Sequence, residues 1–298
     1  ITSLCREKDI IVGLMTDEAI SQYKKIPFLN YYQREVVLKN LNMVEKVIPQ
    51  HTMDYRPNLR KIKPHYVVHG DDWKKGILKQ TRSQVIGEIK KWSGKLIEIP
   101  YTKNVSSSNL KESFFSKNFL SFNLSRTSLL KRMIEAKKFV KILEAHSPLA
   151  GLIIENTKIK KKNNEIDYDG MWSSSLTESL LRGKPDNQSV ELSTRINAIN
   201  EVLEITTKPM IFDADNGGRV EHLPFTIKSL ERQGVSAIII EDKVGLKKNS
   251  LFKDQKNAKQ DSIKNFCKKI EVATKSKKTD DFLVIARIES FILGKGIQ

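Results

Sequence analysis

The feature that most constrains this chain is a series of short apolar runs, each ending in polar or charged residues. FVKILEAHS, DGMWSSS, PMIFDAD, AIIIEDK and FLVIARIES follow one another between residues 139 and 290. Most are separated by helical stretches such as STRINAINEVLEI and FTIKSLERQG. A short continuous apolar run is the pattern of a strand buried on both faces. Strands alternating with helices imply a parallel sheet with helical crossovers. Acids or an Arg at successive strand ends lie where a (β/α)8 barrel builds its active site. An open doubly wound sheet satisfies the same periodicity.

The chain before this series also alternates. DIIVGLMT, HYVVHGDDW and KLIEIPYT read as strands, and SQVIGEIKKW reads as an amphipathic helix. NYYQREVVLKNLNMV shows helical spacing that runs to about Val47 and Ile48. The Ser- and Asn-rich stretch VSSSNLKESFFSKNFLSFNLSRT separates the two patterns and places a boundary near residue 120. The reading is an α/β protein of two domains, 1–112 and 125–298, joined by a linker over 113–124. A length of 298 residues suits two cores better than one.

Composition narrows the classes. No apolar run approaches the roughly 20 residues that span a membrane, and no secretory leader is visible, so no membrane partner is expected. The net charge of +17 comes mainly from scattered Lys pairs such as Lys137-Lys138 and Lys268-Lys269. No aromatic residues interleave with them, so the charge reads as a solvated surface and not a nucleic-acid footprint. The densest run, in KIKKKNNEID, reads as a polar loop. Cys5 and Cys267 lack ligand spacing and fit buried or idle thiols in a reducing cytoplasm. NFCKKI reads as the buried face of a helix.

Within the strand series, Asp213 and Asp215 flank Ala214 at a strand end, and residues two apart on a strand share a face. Both carboxylates can therefore address one hard cation, with Glu241 and Asp242 at the end of the next strand to complete its shell. Strand-end acids also serve as caps and solvated turns, so one such pair alone is weak. Arg287 sits in the apolar run VIARIES and needs a partner. That partner is either Glu289 or another strand-end acid, or a phosphoryl group bound in bidentate fashion. Gly245, Lys247, Asn249 and Ser250 form a polar cluster suited to a loop that closes over a substrate.

EAHS, DGMWSSSLTES, RGKPD, FDADNGG, EDKVGLKKNS and IARIES, in this order, resemble phosphoenolpyruvate mutases of the isocitrate lyase superfamily over residues 125–298. The resemblance implies a TIM-type barrel, of which this chain holds about five of eight strands. Phosphoenolpyruvate and phosphonopyruvate are the implied substrates, and Mg2+ the implied cofactor. It further implies that Trp172, Ser174, Ser175 and Leu176 line the substrate, and that Asp186 supports the site. Asp213, Asp215 and Glu241 would hold magnesium; Lys247, Asn249 and Ser250 would gate and contact the substrate; Arg287 would bind its phosphoryl group. Carbon–carbon lyases of the superfamily carry a reactive Cys-Gly-His where this chain has Lys248-Asn249-Ser250, and they are set aside. Phosphonopyruvate hydrolase shares most of the site and remains the alternative, with Asn249 favouring the mutase. A basic nucleic-acid-binding protein and a non-catalytic scaffold are readings from other classes.

VGLMTDEAISQYKKIPFLNYYQREVVLKNL, VVHGDDW and IPYTKNVSSS resemble cytidylyltransferases of the glycerol-3-phosphate type, with a Rossmann-like fold, over residues 8–112. The resemblance implies nucleotide-phosphate contacts from Lys24 or Lys25 and Arg34. It also implies a recognition turn at Asp71, Asp72 and Trp73, and a phosphate cradle at Thr102, Ser106 and Ser107. Tyr101 and Asn104 depart from the family's arginine and glycine, and its His-x-Gly-His would lie before Ile1. The fusion implies carbon–phosphorus bond formation coupled to CTP-dependent activation of a phosphonate, in a homo-oligomer when full length. A chain with an open barrel is expected to be poorly stable by itself.

Overall fold

The computed structural model describes residues 10–76, 78–100, 121–161, 164–245, 247–251, 255 and 258–296. They divide into two compact units. The first is drawn from the chain up to residue 116, with the stretches 135–138 and 159–166, and the second from the remainder.

In the first unit, β1 (Ile10–Met15) pairs in parallel with β2 (Val44–Gln50). Between them lie α1 (Asp17–Ser21), capped by the Thr16 side chain, and α2 (Tyr31–Lys39), closed by a capping box of Asn30 and Gln33. The helix expected to reach Val47 and Ile48 therefore stops at Lys39, with Asn40 as its C-cap. The β-branched residues Val44, Val47 and Ile48 that completed the helical spacing instead pair with β1, where such side chains are favoured. After α3 (Arg56–Ile62), β3 (Tyr66–Gly70) pairs in parallel with β4 (Lys95–Ile99). A 3-10 turn over Asp71–Lys74, α4 (Leu78–Ile89) and a second 3-10 turn over Lys90–Trp92 connect them. Leu59, Trp73, Val85 and Ile89 form the core of this pair.

The second unit opens with α5 (Ser121–Ala136), β5 (Ile142–Glu144) and α6 (Pro148–Asn156). Next in the chain come two short strands, β6 (Lys158–Lys161) and β7 (Asn164–Asp167), which pair with each other where a polar loop was expected and belong mostly to the first unit. The polar–apolar alternation of KIK and EID in the sequence suits a ribbon, and the Lys run does not prevent one. Then follow β8 (Gly170–Ser173), α7 (Ser175–Leu181), α8 (Leu192–Ile205), β9 (Met210–Asp213), α9 (Leu223–Gln233) and β10 (Ala237–Glu241). The last elements are the antiparallel pair β11 (Lys243–Val244) and β12 (Lys259–Gln260), α10 (Ile263–Ser276) and β13 (Leu283–Arg287). β5, β8, β9, β10 and β13 lie side by side in that order, all parallel. This sequential order, with helical connections, is that of consecutive strands in a (β/α)8 barrel.

Alternation along each strand sorts the side chains. Met171, Met210, Phe212, Ile238 and Ile240 face the helices and pack against Ile196, Ile199 and Val202 of α8 and Ile227 and Leu230 of α9. Each such burial contributes about 1.5–3 kcal/mol. Ile142, Trp172, Ile211, Ala237, Ile239, Leu283 and Ile285 form the other layer, with Leu130 of α5 inserted among them. α5 sits at the N-terminal ends of the strands, where Thr127 Oγ1 donates to the Val235 carbonyl and Ser236 Oγ to that of Arg126. The C-terminal ends are thus left for chemistry. In α10, Phe266, Lys269 and Ala273 form the buried face, and Cys267 is exposed, contrary to the expected buried thiol. One step of about 100° round the helix separates it from Phe266.

Candidate active site

Asp213, Glu241 and Arg287 each continue the inner face of their strand, two residues beyond Ile211, Ile239 and Ile285. Ile239 is in register with Asp213, and Glu241 with Arg287, so the three functional groups converge at one end of the sheet. Arg287 Nη1 donates to Asp213 Oδ2 at 2.9 Å, and Nη2 donates to Glu241 Oε2. Its Nε lies 3.0 Å from Glu289 Oε1, without hydrogen-bond alignment. Burial works to lower the Arg287 pKa, but Asp213 and Glu241 outweigh it and raise it. Burial raises the Glu241 carboxyl, with Arg287 opposing. Of the two partnerships raised from the sequence for Arg287, the one with strand-end acids is present.

Asp215 lies just past the end of β9 in the left-handed region, φ 55°. Its N–H donates to Asp213 Oδ1 at 3.0 Å, so the two acids share one turn. Lys247, from the segment after β11, is 8% exposed. Its Nζ donates to Ser175 Oγ at 2.6 Å, to Asp186 Oδ1 at 2.7 Å and to Asp215 Oδ1. Asn249 Nδ2 donates to Asp186 Oδ2 at 2.6 Å. Asp186 therefore receives both loop side chains, and the loop lies closed on the strand ends. Burial pulls the Lys247 pKa down, but Asp215 and Asp186 together raise it.

A second set of contacts ties this segment down. Lys243 Nζ donates to Ser250 Oγ at 2.6 Å and to the Lys248 carbonyl at 3.2 Å, and pairs with Glu289 Oε2 at 3.2 Å. Ser250 Oγ donates to Glu289 Oε2 at 2.7 Å. Asp242 accepts from Glu289 N–H at 2.9 Å and from Gln260 Nε2 at 2.6 Å. It is thus engaged in holding β12 and the turn after β13. The sequence did not single out Lys243 or Gln260, nor Glu178 and Arg195; Glu289 was expected only as a partner for Arg287.

Of the expected substrate residues, Ser174 is the N-cap of α7 with no side-chain capping bond, and Leu176 stands half-buried in its first turn. Trp172 belongs to the inner layer, with a buried Nε1 that has no hydrogen-bond partner.

Asp213, Asp215 and Glu241 present hard carboxylate oxygens, which suit a magnesium ion. Glu241 Oε1 is buried without a hydrogen-bond partner, a polar atom that a cation would satisfy. Seven carboxylates with buried side chains (Glu178, Asp186, Asp213, Asp215, Glu241, Asp242 and Glu289) face five cations, Arg182, Arg195, Lys243, Lys247 and Arg287. The excess negative charge points the same way. Among the described residues no three acids or histidines are already gathered as a cation cage; Arg287 stands between Asp213 and Glu241. The donors fit the ion.

In the first unit, Lys24 is exposed and lies 5.3 Å from the Tyr23 ring, and Lys25 is exposed as well. Arg34 Nη2 is engaged by Asp17 Oδ1 at 2.6 Å. Asp71 and Asp72 open the 3-10 turn after β3, with Asp72 exposed. Trp73 is a core residue and not part of a recognition surface. It is fully buried, stacked on His69 at 3.8 Å, and its Nε1 donates to Glu98 Oε1 at 2.7 Å. The bulky indole packs with Leu59 of α3 and with Val85 and Ile89 of α4. Thr102, Ser106 and Ser107 lie outside the described residues.

A family model described as phosphoenolpyruvate phosphomutase matches residues 130–298, and one described as cytidylyltransferase-like matches residues 3–113. A phosphoenolpyruvate phosphomutase of Tetrahymena pyriformis is 30% identical over 191 residues, 64% of this chain and 58% of that protein. A phosphonopyruvate hydrolase of Variovorax sp. (strain Pal2) is 28% identical over 176 residues, 59% of this chain and 57% of that protein. The crystal structure of a phosphoenolpyruvate phosphomutase from Streptomyces platensis subsp. rosaceus aligns with a TM-score of 0.51 at 30% identity, covering 56% of this chain and 55% of that one. The chain spans a little over half the length of these proteins.

Proposed function

Because this chain belongs to the phosphoenolpyruvate phosphomutase family, we propose that its second unit, in the intact protein, interconverts phosphoenolpyruvate and phosphonopyruvate. The observation that carries the reading is the closed loop. It brings Lys247 and Asn249 onto Asp186 and Asp215, beside Arg287 and the Asp213–Glu241 pair, with amide and hydroxyl groups where a lyase would need a thiol.

In this reaction the bond between the enol oxygen and phosphorus breaks, a bond from C3 to the same phosphorus forms, and the enol becomes a ketone; no proton is gained or lost. A magnesium ion held by Asp213, Asp215 and Glu241 would supply positive charge against the pyruvate enolate. Arg287 and Asn249 offset charge on the loosely bound phosphoryl group during transfer. Ser174, Ser175 and the backbone around Leu176 hold the carboxylate end. Closure of the Lys247–Ser250 segment excludes the water that would divert the phosphoryl group to phosphate.

The test is phosphorus NMR on the intact protein with phosphonopyruvate and magnesium. Growth of a phosphoenolpyruvate signal, lost in Asn249→Ala, is expected; no conversion by the intact protein overturns the reading. Inorganic phosphate as the product would select the hydrolase instead, an outcome kept open by the 28% identity to such an enzyme.

The cytidylyltransferase-like part extends the proposal to CTP and a phosphonate, with Lys24, Lys25, Arg34, Asp71 and Asp72 as candidate nucleotide contacts. Pyrophosphate release from CTP with 2-aminoethylphosphonate is expected of the intact protein, and none with any phosphonate would sink this half. The domain limits 1–112 and 125–298, a cytoplasmic location and homo-oligomeric assembly belong to the same proposal. Among the described residues no helix is long and apolar enough to cross a membrane.

A further inference from the structure

Arg195 is 1% exposed, yet it projects from α8, a helix on the outer side of the sheet. It reaches the strand ends through the buried layer, its guanidinium 4.7 Å from the centre of the Phe212 ring. Nη1 donates to Asp215 Oδ2 at 3.1 Å, Nη2 to the Asp213 carbonyl at 2.5 Å, and Nε to Glu178 Oε2 at 3.3 Å. The other Glu178 oxygen accepts from Ser173 Oγ at 2.5 Å. A continuous chain of contacts therefore links the end of β8 to the turn after β9.

The turn needs such a hold. A non-glycine residue in the left-handed region costs about 1–3 kcal/mol and persists only when its surroundings over-determine it. Asp215, at φ 55°, is in this state. Arg195 grips it at two places, the Asp213 carbonyl on one side and Oδ2 on the other. That leaves Oδ1 facing Lys247 and the site.

We propose that Arg195 is a positioning residue that holds Asp215 in its left-handed conformation and so presents Oδ1 to the loop lysine and to a divalent cation. The inference rests on the cation-dependent reading of the site. A different role, neutralising buried carboxylates, predicts the opposite effect. Removing a positive charge 3.1 Å from Asp215 would then tighten cation binding, whereas removing a positioning group weakens it.

The test measures binding of Mn2+ alone, without substrate, to the intact protein by the electron paramagnetic resonance of the free ion. Arg195→Met and Arg195→Lys should both bind Mn2+ about 10- to 100-fold more weakly than wild type, the usual loss when a partner of a metal ligand is removed. Lysine keeps the charge but lacks the planar fork that reaches three acceptors at once. Tighter or unchanged binding in Arg195→Met, or wild-type affinity in Arg195→Lys, overturns the proposal. If circular dichroism shows Arg195→Met unfolded, Arg195→Lys and Glu178→Gln carry the test. Weaker binding in both supports the proposal, and wild-type affinity in either refutes it. A wild-type protein that takes up no Mn2+ removes the functional reading and this inference together, while binding that the variants leave intact removes only the inference.

Discussion

Replacing Asp186 by Ala removes the acceptor for two loop side chains at once. Lys247 Nζ loses a bond of 2.7 Å and Asn249 Nδ2 one of 2.6 Å. A hydrogen bond to a charged group contributes about 1.5–3 kcal/mol net. Lys247 keeps Ser175 and Asp215, so the lower end applies to each, and the closed loop loses about 3 kcal/mol in all. That is a shift of about 150-fold toward the open state. Trypsin reads the shift, because the half-buried Lys248 lies between the two anchored side chains and cleavage needs the segment drawn out into the protease cleft. When opening and reclosing are fast compared with cleavage, the cleavage rate follows the open population. Cleavage after Lys248, followed by mass spectrometry at low protease, should accelerate by about two orders of magnitude. Helical circular dichroism should stay unchanged, since Asp186 lies outside the helices and the hydrophobic layers. A rate within two-fold of wild type in a folded variant would refute the reasoning and leave Asp186 without an anchoring role.

Lys243→Met strips Glu289 and Ser250 of a shared donor, all but closed off from solvent; removing one partner of such a pair costs about 3–5 kcal/mol, readable as a lower urea midpoint. An unchanged midpoint would contradict the latch role. Gly170→Ala places a Cβ 2.8 Å from Ile142 Cδ1 and 2.9 Å from the Pro209 carbonyl oxygen; the isoleucine tip can yield, the carbonyl cannot, and about 1–3 kcal/mol should be lost in thermal melting. In the first unit, hydrogen bonds from Arg60 and Lys91 hold the Glu88 carboxyl down to about 2, and Arg82, with Trp73, does the same for Glu98. Depressed folded values stabilise above the ordinary glutamate range and stop doing so as pH falls from about 4.5 toward 2. The acid limb of the Tm profile should therefore be shallower in the Glu88→Gln, Glu98→Gln double variant, and an unchanged slope would count against it.

The strand ends were legible because a period of two carries the side-chain direction with it. Once Phe212 faces the helices, Asp213 must face the other way, and the same logic places Glu241 and Arg287. Helices hide their functional residues better. Arg195 reads as an ordinary polar position of an amphipathic helix, although it shares a face with Ile199 and Val202 at spacings of four and seven. A charged residue on an apolar stripe was the available signal, and it is ambiguous without the partner acids, which lie 17 and 20 residues away. Trp73 was placed in a recognition turn by resemblance to cytidylyltransferases, and a motif match does not give the direction of a side chain in a 3-10 turn. The overlong helix at Val44–Ile48 came from apolar spacing that a strand satisfies equally well.

The left-handed Asp215 bears on attempts to make this protein more robust. Glycine would occupy φ 55° without strain and asparagine with less of it, so either substitution relaxes the backbone where the native residue stores energy. Either also strips the buried Arg195 and Lys247 of a shared partner, a loss of about 3–5 kcal/mol that outweighs the strain relieved. A search for heat-resistant variants scored on melting alone would therefore pass over this position, although its backbone looks like an easy gain. Thermal hardiness and competence draw on the same carboxylate at this one residue.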